Sequence, residues 1–140
     1  AINLDGVFLG IKHAIPAMVA SGSGSIVNMS SIDGYFGAPV RVPYCATKGA
    51  LVMLIKQHAV ELSAHGICVN GVAPTVVRGS MGSHWLDNPA TRDALLQRIP
   101  LGRVAEPADV VGATLLFCSP AASFVTGHCL SVDGGVVVGT

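Results

Sequence analysis

Ser30 to Lys48 reads SSIDGYFGAPVRVPYCATK, and the fold and the chemistry of the chain follow outward from this stretch. It closes on Tyr44-Cys45-Ala46-Thr47-Lys48, with tyrosine and lysine four residues apart at the opening of an apolar run. On a helix these positions share one face, so the ammonium can sit close to the phenol. Pro43 suits the first turn of such a helix, and that places Tyr44 near the positive end of the helix dipole. A free tyrosine has a pKa near ~10 and is a poor base at neutral pH. One positive charge about 4 Å away contributes roughly 4 kcal/mol at an effective dielectric of ~20, before desolvation. A phenol tuned in this way can take a proton from an alcohol or give one to a carbonyl.

Upstream, Ser25-Ile26-Val27-Asn28-Met29 suits a short buried parallel strand, with Ser30 and Ser31 at its carboxyl end. Ligands of open α/β sheets bind beyond the carboxyl ends of strands, which favours a functional hydroxyl here without choosing between the two serines. Ile32 to Val42, with Gly34, Gly37 and Pro39, reads as a loop lining a substrate cleft, with Tyr35 as a wall. Leu4 to Ala20 reads as a helix from Val7, Ile11, Ala14, Ile15 and Met18, bent at Pro16. The turn Ser21-Gly22-Ser23-Gly24 precedes a strand rather than a helix, so it lacks the context of a phosphate cradle.

Downstream, Tyr44 to His65 is the longest predicted helix, apolar on several faces and stopped at Gly66. Ile67 to Ala73 is the next strand, ended by Pro74. Thr75 to Ala105 reads as a long substrate loop with at most a short helix around Thr91–Arg98. Its His84-Trp85-Leu86 suits a lid, or an anchor of the loop to the body. A helix from Glu106 to Cys118 and a strand from His128 to Val132, closed by Asp133-Gly134-Gly135, complete the pattern. Such helix-to-strand alternation implies right-handed crossovers and a parallel α/β sheet covered on both faces.

Ser31 stands thirteen residues before Tyr44, and Asn3 opens the first helix. Asn, Ser, Tyr and Lys in this order and spacing resemble the active site of the short-chain dehydrogenase/reductase family, over nearly the whole chain. The resemblance implies the C-terminal part of a doubly wound, Rossmann-like domain that uses NAD or NADP. It implies that Tyr44 is the acid/base and that Lys48 lowers its pKa while binding the nicotinamide ribose. Ser31 then polarises the substrate oxygen, and Asn3 holds a water that links Lys48 to solvent. Pro74, Thr75 and Val77 occupy the family's nicotinamide-contacting stretch after the second strand. There Thr75 replaces the usual glycine and Gly79 the usual threonine, with Ser80 as a possible substitute hydroxyl. Substrate contacts are expected from Ser31, Ile32, Asp33, Tyr44 and Trp85. The family's glycine-rich phosphate turn does not occur in these residues, so residues 1–140 are expected to be a single incomplete domain. By themselves they are expected not to bind NAD(P)H tightly, and the first strand is expected to expose an apolar edge.

Half of the 140 residues are hydrophobic, 11% are charged, and the formal net charge is zero. Nucleic acid and acidic membrane surfaces, which need clustered positive charge, are therefore not expected partners. No apolar run reaches a membrane span, because Lys12, His13 and Pro16 interrupt the best candidate. Cys45, Cys68, Cys118 and Cys129 have no paired spacing and read as reduced core thiols of a cytoplasmic protein. His58 and His65 have no companion ligands, so no metal is expected. The most direct reading is an alcohol dehydrogenase or ketoreductase with a small alcohol or ketone substrate. By family habit it forms a homodimer or homotetramer. The competing reading is a non-catalytic fragment or interaction module that keeps the signature without cofactor binding. An extended sugar-nucleotide epimerase fits less well, since the pattern stops soon after Asp133-Gly134-Gly135.

Overall fold

The computed structural model describes residues 2–139, apart from the side chain of His84. A five-residue π-helical turn, Ile2–Gly6, leads into helix α1, Val7–Ser21. The expected start at Leu4 is thus displaced by a wider turn, which a 3.6-residue periodicity cannot distinguish from an α-helix. α1 continues through Pro16 and ends at Gly22, which takes the left-handed conformation and donates to the Val19 carbonyl.

Strand β1, Gly24–Met29, pairs in parallel with β2, Ile67–Pro74, from Gly24↔Ile67 to Met29↔Val72. β2 pairs in parallel with β3, Cys129–Val132, from Gly71↔Cys129 to Pro74↔Val132. The order is β1-β2-β3, so β1 lies at a sheet edge, as expected. Between β1 and β2 runs α2, Val42–Leu62, with Pro43 in its first turn and a 3₁₀ turn, Ser63–His65, at its end. Gly66 reverses the chain at φ 68°, and a β-carbon there would lie 2.9 Å from the Gly22 carbonyl oxygen.

The sheet separates two apolar layers. Ile26, Val69 and Ile67 face Ile11 of α1 and Ile55, Ala59 and Leu62 of α2. On the other face Val72 packs against Phe117 of α5, Pro107–Phe117, and Ala122. A third cluster of Ile32, Ile99 and Val136 sits beyond the carboxyl ends of the strands and supports the floor of a cleft.

The Thr75–Ala105 segment departs from the expected loop. It carries two helices, α3, Ser80–Leu86, and α4, Pro89–Gln97. α4 is started by Asn88, whose Oδ1 accepts from the Ala90 N–H at 2.9 Å, with Pro89 following. α3 contains Gly82, which weakens its signal in the sequence. A β-carbon at Gly82 would collide with the Val77 carbonyl, so close packing requires the residue that hides the helix. Val77 also bridges to Ala105, and the Arg78 N–H donates to the Ala105 carbonyl at 2.8 Å, which closes the excursion at its base.

The four cysteines are free, but none is a core thiol: Cys118 is exposed and the others are half-buried. No helix among the described residues is long and apolar enough to cross a membrane. Among the described residues there is no cluster of three metal-ligating side chains.

Candidate active site

A cleft of about 1190 Å³ opens beyond the carboxyl ends of β1 and β2. Asn3, Ser31, Tyr44 and Lys48, drawn from three separate places in the sequence, all line it. So do Ile32, Asp33, Pro74, Thr75, Val77 and Trp85, so every residue assigned to the site from sequence reaches the same cavity. Ser80 does not; it begins α3 and is not part of the lining.

Tyr44 and Lys48 lie one turn apart on α2, and the Lys48 ammonium is 5.7 Å from the centre of the Tyr44 ring. Lys48 Nζ donates to the Met29 carbonyl at the end of β1 at 2.8 Å, which ties α2 to the strand tip. Burial pushes the Lys48 pKa below its ordinary value. Among the described residues the Tyr44 hydroxyl has no hydrogen-bond partner, and the ring is half-buried.

The two serines do different work. Ser30 is 3% exposed and donates its hydroxyl to the Lys48 carbonyl at 3.1 Å. Ser31 caps the 3₁₀ turn Ile32–Gly34, its Oγ accepting from the Asp33 N–H at 3.2 Å. Its own proton remains available to the cleft. Ser30 thus secures the helix, and Ser31 keeps a free donor.

Asp33 is buried at 6% exposure and pairs with Arg41, Nη1 to Oδ2 at 2.5 Å. Arg41 in turn lies 4.5 Å from the centre of the Trp85 ring. The chain Asp33–Arg41–Trp85 therefore joins the serine turn to helix α3 across the cleft mouth. Trp85 lines the cleft and is anchored through Arg41. Sequence reading missed Arg41, Phe36 and Arg98, and also the α5 residues Val110 and Thr114, all of which line the cavity. Arg41 stands inside the opening stretch, but nothing in the sequence names its partners. Tyr35 is not a cleft wall. Its hydroxyl turns to β3 and donates to the Cys129 carbonyl at 2.6 Å, and burial raises its pKa above the usual value.

A parallel sheet with a tyrosine–lysine helix and a serine turn at its strand ends defines a class of nucleotide-dependent oxidoreductases. The family model described as enoyl-(acyl carrier protein) reductase matches residues 1–137, and the chain belongs to the short-chain dehydrogenase/reductase family. It is 44% identical, over 138 residues, to an A-factor type γ-butyrolactone 1'-reductase (1S-forming) of Streptomyces virginiae, covering 97% of this chain and 54% of that protein. To 2-(S)-hydroxypropyl-CoM dehydrogenase 3 of Xanthobacter autotrophicus it is 39% identical, over 97% of this chain and 55% of the relative. The structure superposes with TM-score 0.95 and 37% identity on a gluconate 5-dehydrogenase from Burkholderia cenocepacia solved with NADP and tartrate. That match covers 97% of this chain and 53% of the other. The chain thus spans about half the length of the relatives it matches.

Proposed function

We propose that this chain supplies the proton-transfer half of an NAD(P)-dependent oxidoreductase that interconverts a secondary alcohol and a ketone. The observation that carries the reading is the Tyr44 hydroxyl, unpartnered among the described residues, on the cleft wall beside the half-buried Lys48 and the free donor of Ser31. The nicotinamide supplies or accepts the hydride when bound.

Lys48 has three ammonium protons and spends one on Met29, so two remain for a ribose hydroxyl. Pro74, Thr75 and Val77 line the cleft and would hold the nicotinamide. These residues fit the cofactor, and they leave the NAD or NADP preference open. Ser31 donates to the substrate oxygen, and Tyr44 passes its proton to that oxygen in the reductive direction and recovers it in the oxidative one. Lys48 favours the phenolate by proximity of charge. Asn3, half-buried in the π-turn at the cleft edge, connects Lys48 to solvent through a water. The names of these three relatives, one reductase and two dehydrogenases, support a small-molecule substrate. Exposed Met53 and Val60 on α2 support assembly into homodimers or homotetramers.

The test is Tyr44→Phe in the protein carrying these residues at its full length. Turnover should fall by about 10²–10⁴-fold, with cofactor affinity nearly unchanged. Retained turnover would remove Tyr44 from this role, and a parent protein without turnover would return weight to a non-catalytic module.

A further inference from the structure

The charges that line the cleft do not balance. Among the described residues they are Asp33, Arg41, Lys48 and Arg98, three cations against one carboxylate. Asp33 is spent on Arg41, and that pair is neutral. Lys48 serves Tyr44 and the ribose in the reading above. Arg98 remains. It caps the end of α4, with its guanidinium carbon 5.9 Å from the centre of the Phe36 ring, which also lines the cleft. Among the described residues no carboxylate lies within ion-pair distance of it.

Arg41 adds to this. Asp33 takes one nitrogen, Nη1, and Trp85 holds the face, so the guanidinium is fixed in place. Its Nε and Nη2 donors have no acceptor among the described residues. A guanidinium already immobilised loses little freedom on binding, and its planar donors match an oxyanion. Ile32, Phe36 and Leu95 give this part of the cleft apolar walls, and Arg98 stands exposed at its edge.

We propose that the substrate carries an anionic group, a carboxylate or a comparable oxyanion, bound by Arg98 and the free edge of Arg41 while Ser31 and Tyr44 hold the reacting oxygen. The proposal rests on the oxidoreductase reading and specifies its substrate class. A purely solvated Arg98 would make no distinction between charged and neutral ketones.

The experiment compares acetoacetate, levulinate and 5-oxohexanoate with their methyl esters in NADH- and NADPH-dependent reduction by the full-length protein. In at least one pair kcat/KM for the acid should exceed that for the ester by about tenfold or more, as a charge-assisted contact requires. Arg98→Gln should collapse that ratio, chiefly through KM for the acid, and Arg98→Lys should restore part of it. Esters reduced as well as acids, or a ratio unchanged in Arg98→Gln, would overturn the anion site while leaving the oxidoreductase reading intact. Failure of all six compounds with both nucleotides would overturn the two together.

Discussion

A β-carbon on Gly34 would stand 2.8 Å from the Lys48 carbonyl oxygen, so the serine turn rests directly on the backbone of α2. The Ser30 hydroxyl donates to that same carbonyl at 3.1 Å. One backbone point therefore sets the distance between the turn that presents Ser31 and the helix that presents Tyr44 and Lys48. A shift of the turn moves the hydroxyl pair that must meet one substrate oxygen.

Gly34→Ala is expected to destabilise the protein by roughly 1–3 kcal/mol, the usual cost of overpacking, and to lower kcat/KM further than stability alone explains. Gly49→Ala probes the same contact from the helix side, where the added carbon would meet the Gly34 carbonyl at an ordinary 3.4 Å. That variant should be neutral or more stable, because alanine favours a helix over glycine by about 1 kcal/mol. Urea unfolding of both, with initial rates, tests the pair. Equal behaviour of the two variants would show that the close approach does not matter.

Much of this was legible in the sequence, and the reasons differ by element. Buried strands and the long α2 announce themselves through apolar runs ended by Gly66 and Pro74. The Tyr44–Lys48 pair followed from i,i+4 geometry and the two serines from the strand end, whereas Asn3, Pro74, Thr75 and Val77 followed only from the family resemblance. Side-chain pairing was not legible: Asp33 meets Arg41, and Arg41 meets Trp85, across loops whose path no periodicity encodes. Tyr35 was misplaced for the same reason, since its partner is the Cys129 carbonyl 94 residues away. Helix α3 was hidden by Gly82, which its packing against Val77 demands.

Lys48→Met should separate function from stability. Burial lowers the Lys48 pKa, so its charged form is penalised in the folded state. That penalty is present at neutral pH and vanishes as pH rises past the unfolded value near ~10.4. The variant should therefore melt at or above the parent temperature at pH 7, with the advantage shrinking toward pH ~10. Turnover should fall by about 10²-fold or more. The Met29 carbonyl, at a 47% exposed residue, can take water in place of the ammonium. A marked loss of melting temperature would show that the Lys48–Met29 bond outweighs the burial cost.

Asp109 gives an acid-side prediction. Arg103 donates to both its oxygens, at 2.6 and 2.8 Å, and its Oδ2 also accepts the Glu106 N–H at the start of α5. The Arg103 hydrogen bonds, followed by the Glu106 N–H, hold its pKa well below the usual carboxylate range. A depressed carboxyl stabilises the fold above its unfolded pKa near ~3.9, and that contribution is lost as pH falls through the folded value. Asp109→Asn should lower the melting temperature at pH 7, and the gap to the parent should close as the solution is acidified below pH ~3.9. Because the pair is exposed, about 1 M salt should narrow the gap as well. A gap independent of both pH and salt would assign the effect to the cap geometry alone.

Asn70 tests the last turn of the fold. It is fully buried in β2, its Nδ2 donating to the Val125 carbonyl at 2.7 Å and its Oδ1 accepting the His128 N–H at 3.1 Å. These bonds hold the 125–128 connection against the strand and set the entry to β3. Asn70→Ala removes the partner of the Val125 carbonyl and of the His128 N–H and leaves a small cavity, at a cost of about 2–5 kcal/mol. Asn70→Asp preserves the shape and the acceptor for His128 but turns a second oxygen toward the Val125 carbonyl. Its carboxyl, buried and facing that oxygen, should have a raised pKa, because only the protonated form can donate there. A raised folded pKa makes stability fall with rising pH, so this variant should be least stable at neutral pH and recover on acidification toward pH ~4. Denaturant unfolding of parent, Ala and Asp variants across pH 4–8 decides it. If the Asp variant tracks the parent at every pH, the Val125 bond carries no weight and His128 alone explains why Asn70 matters.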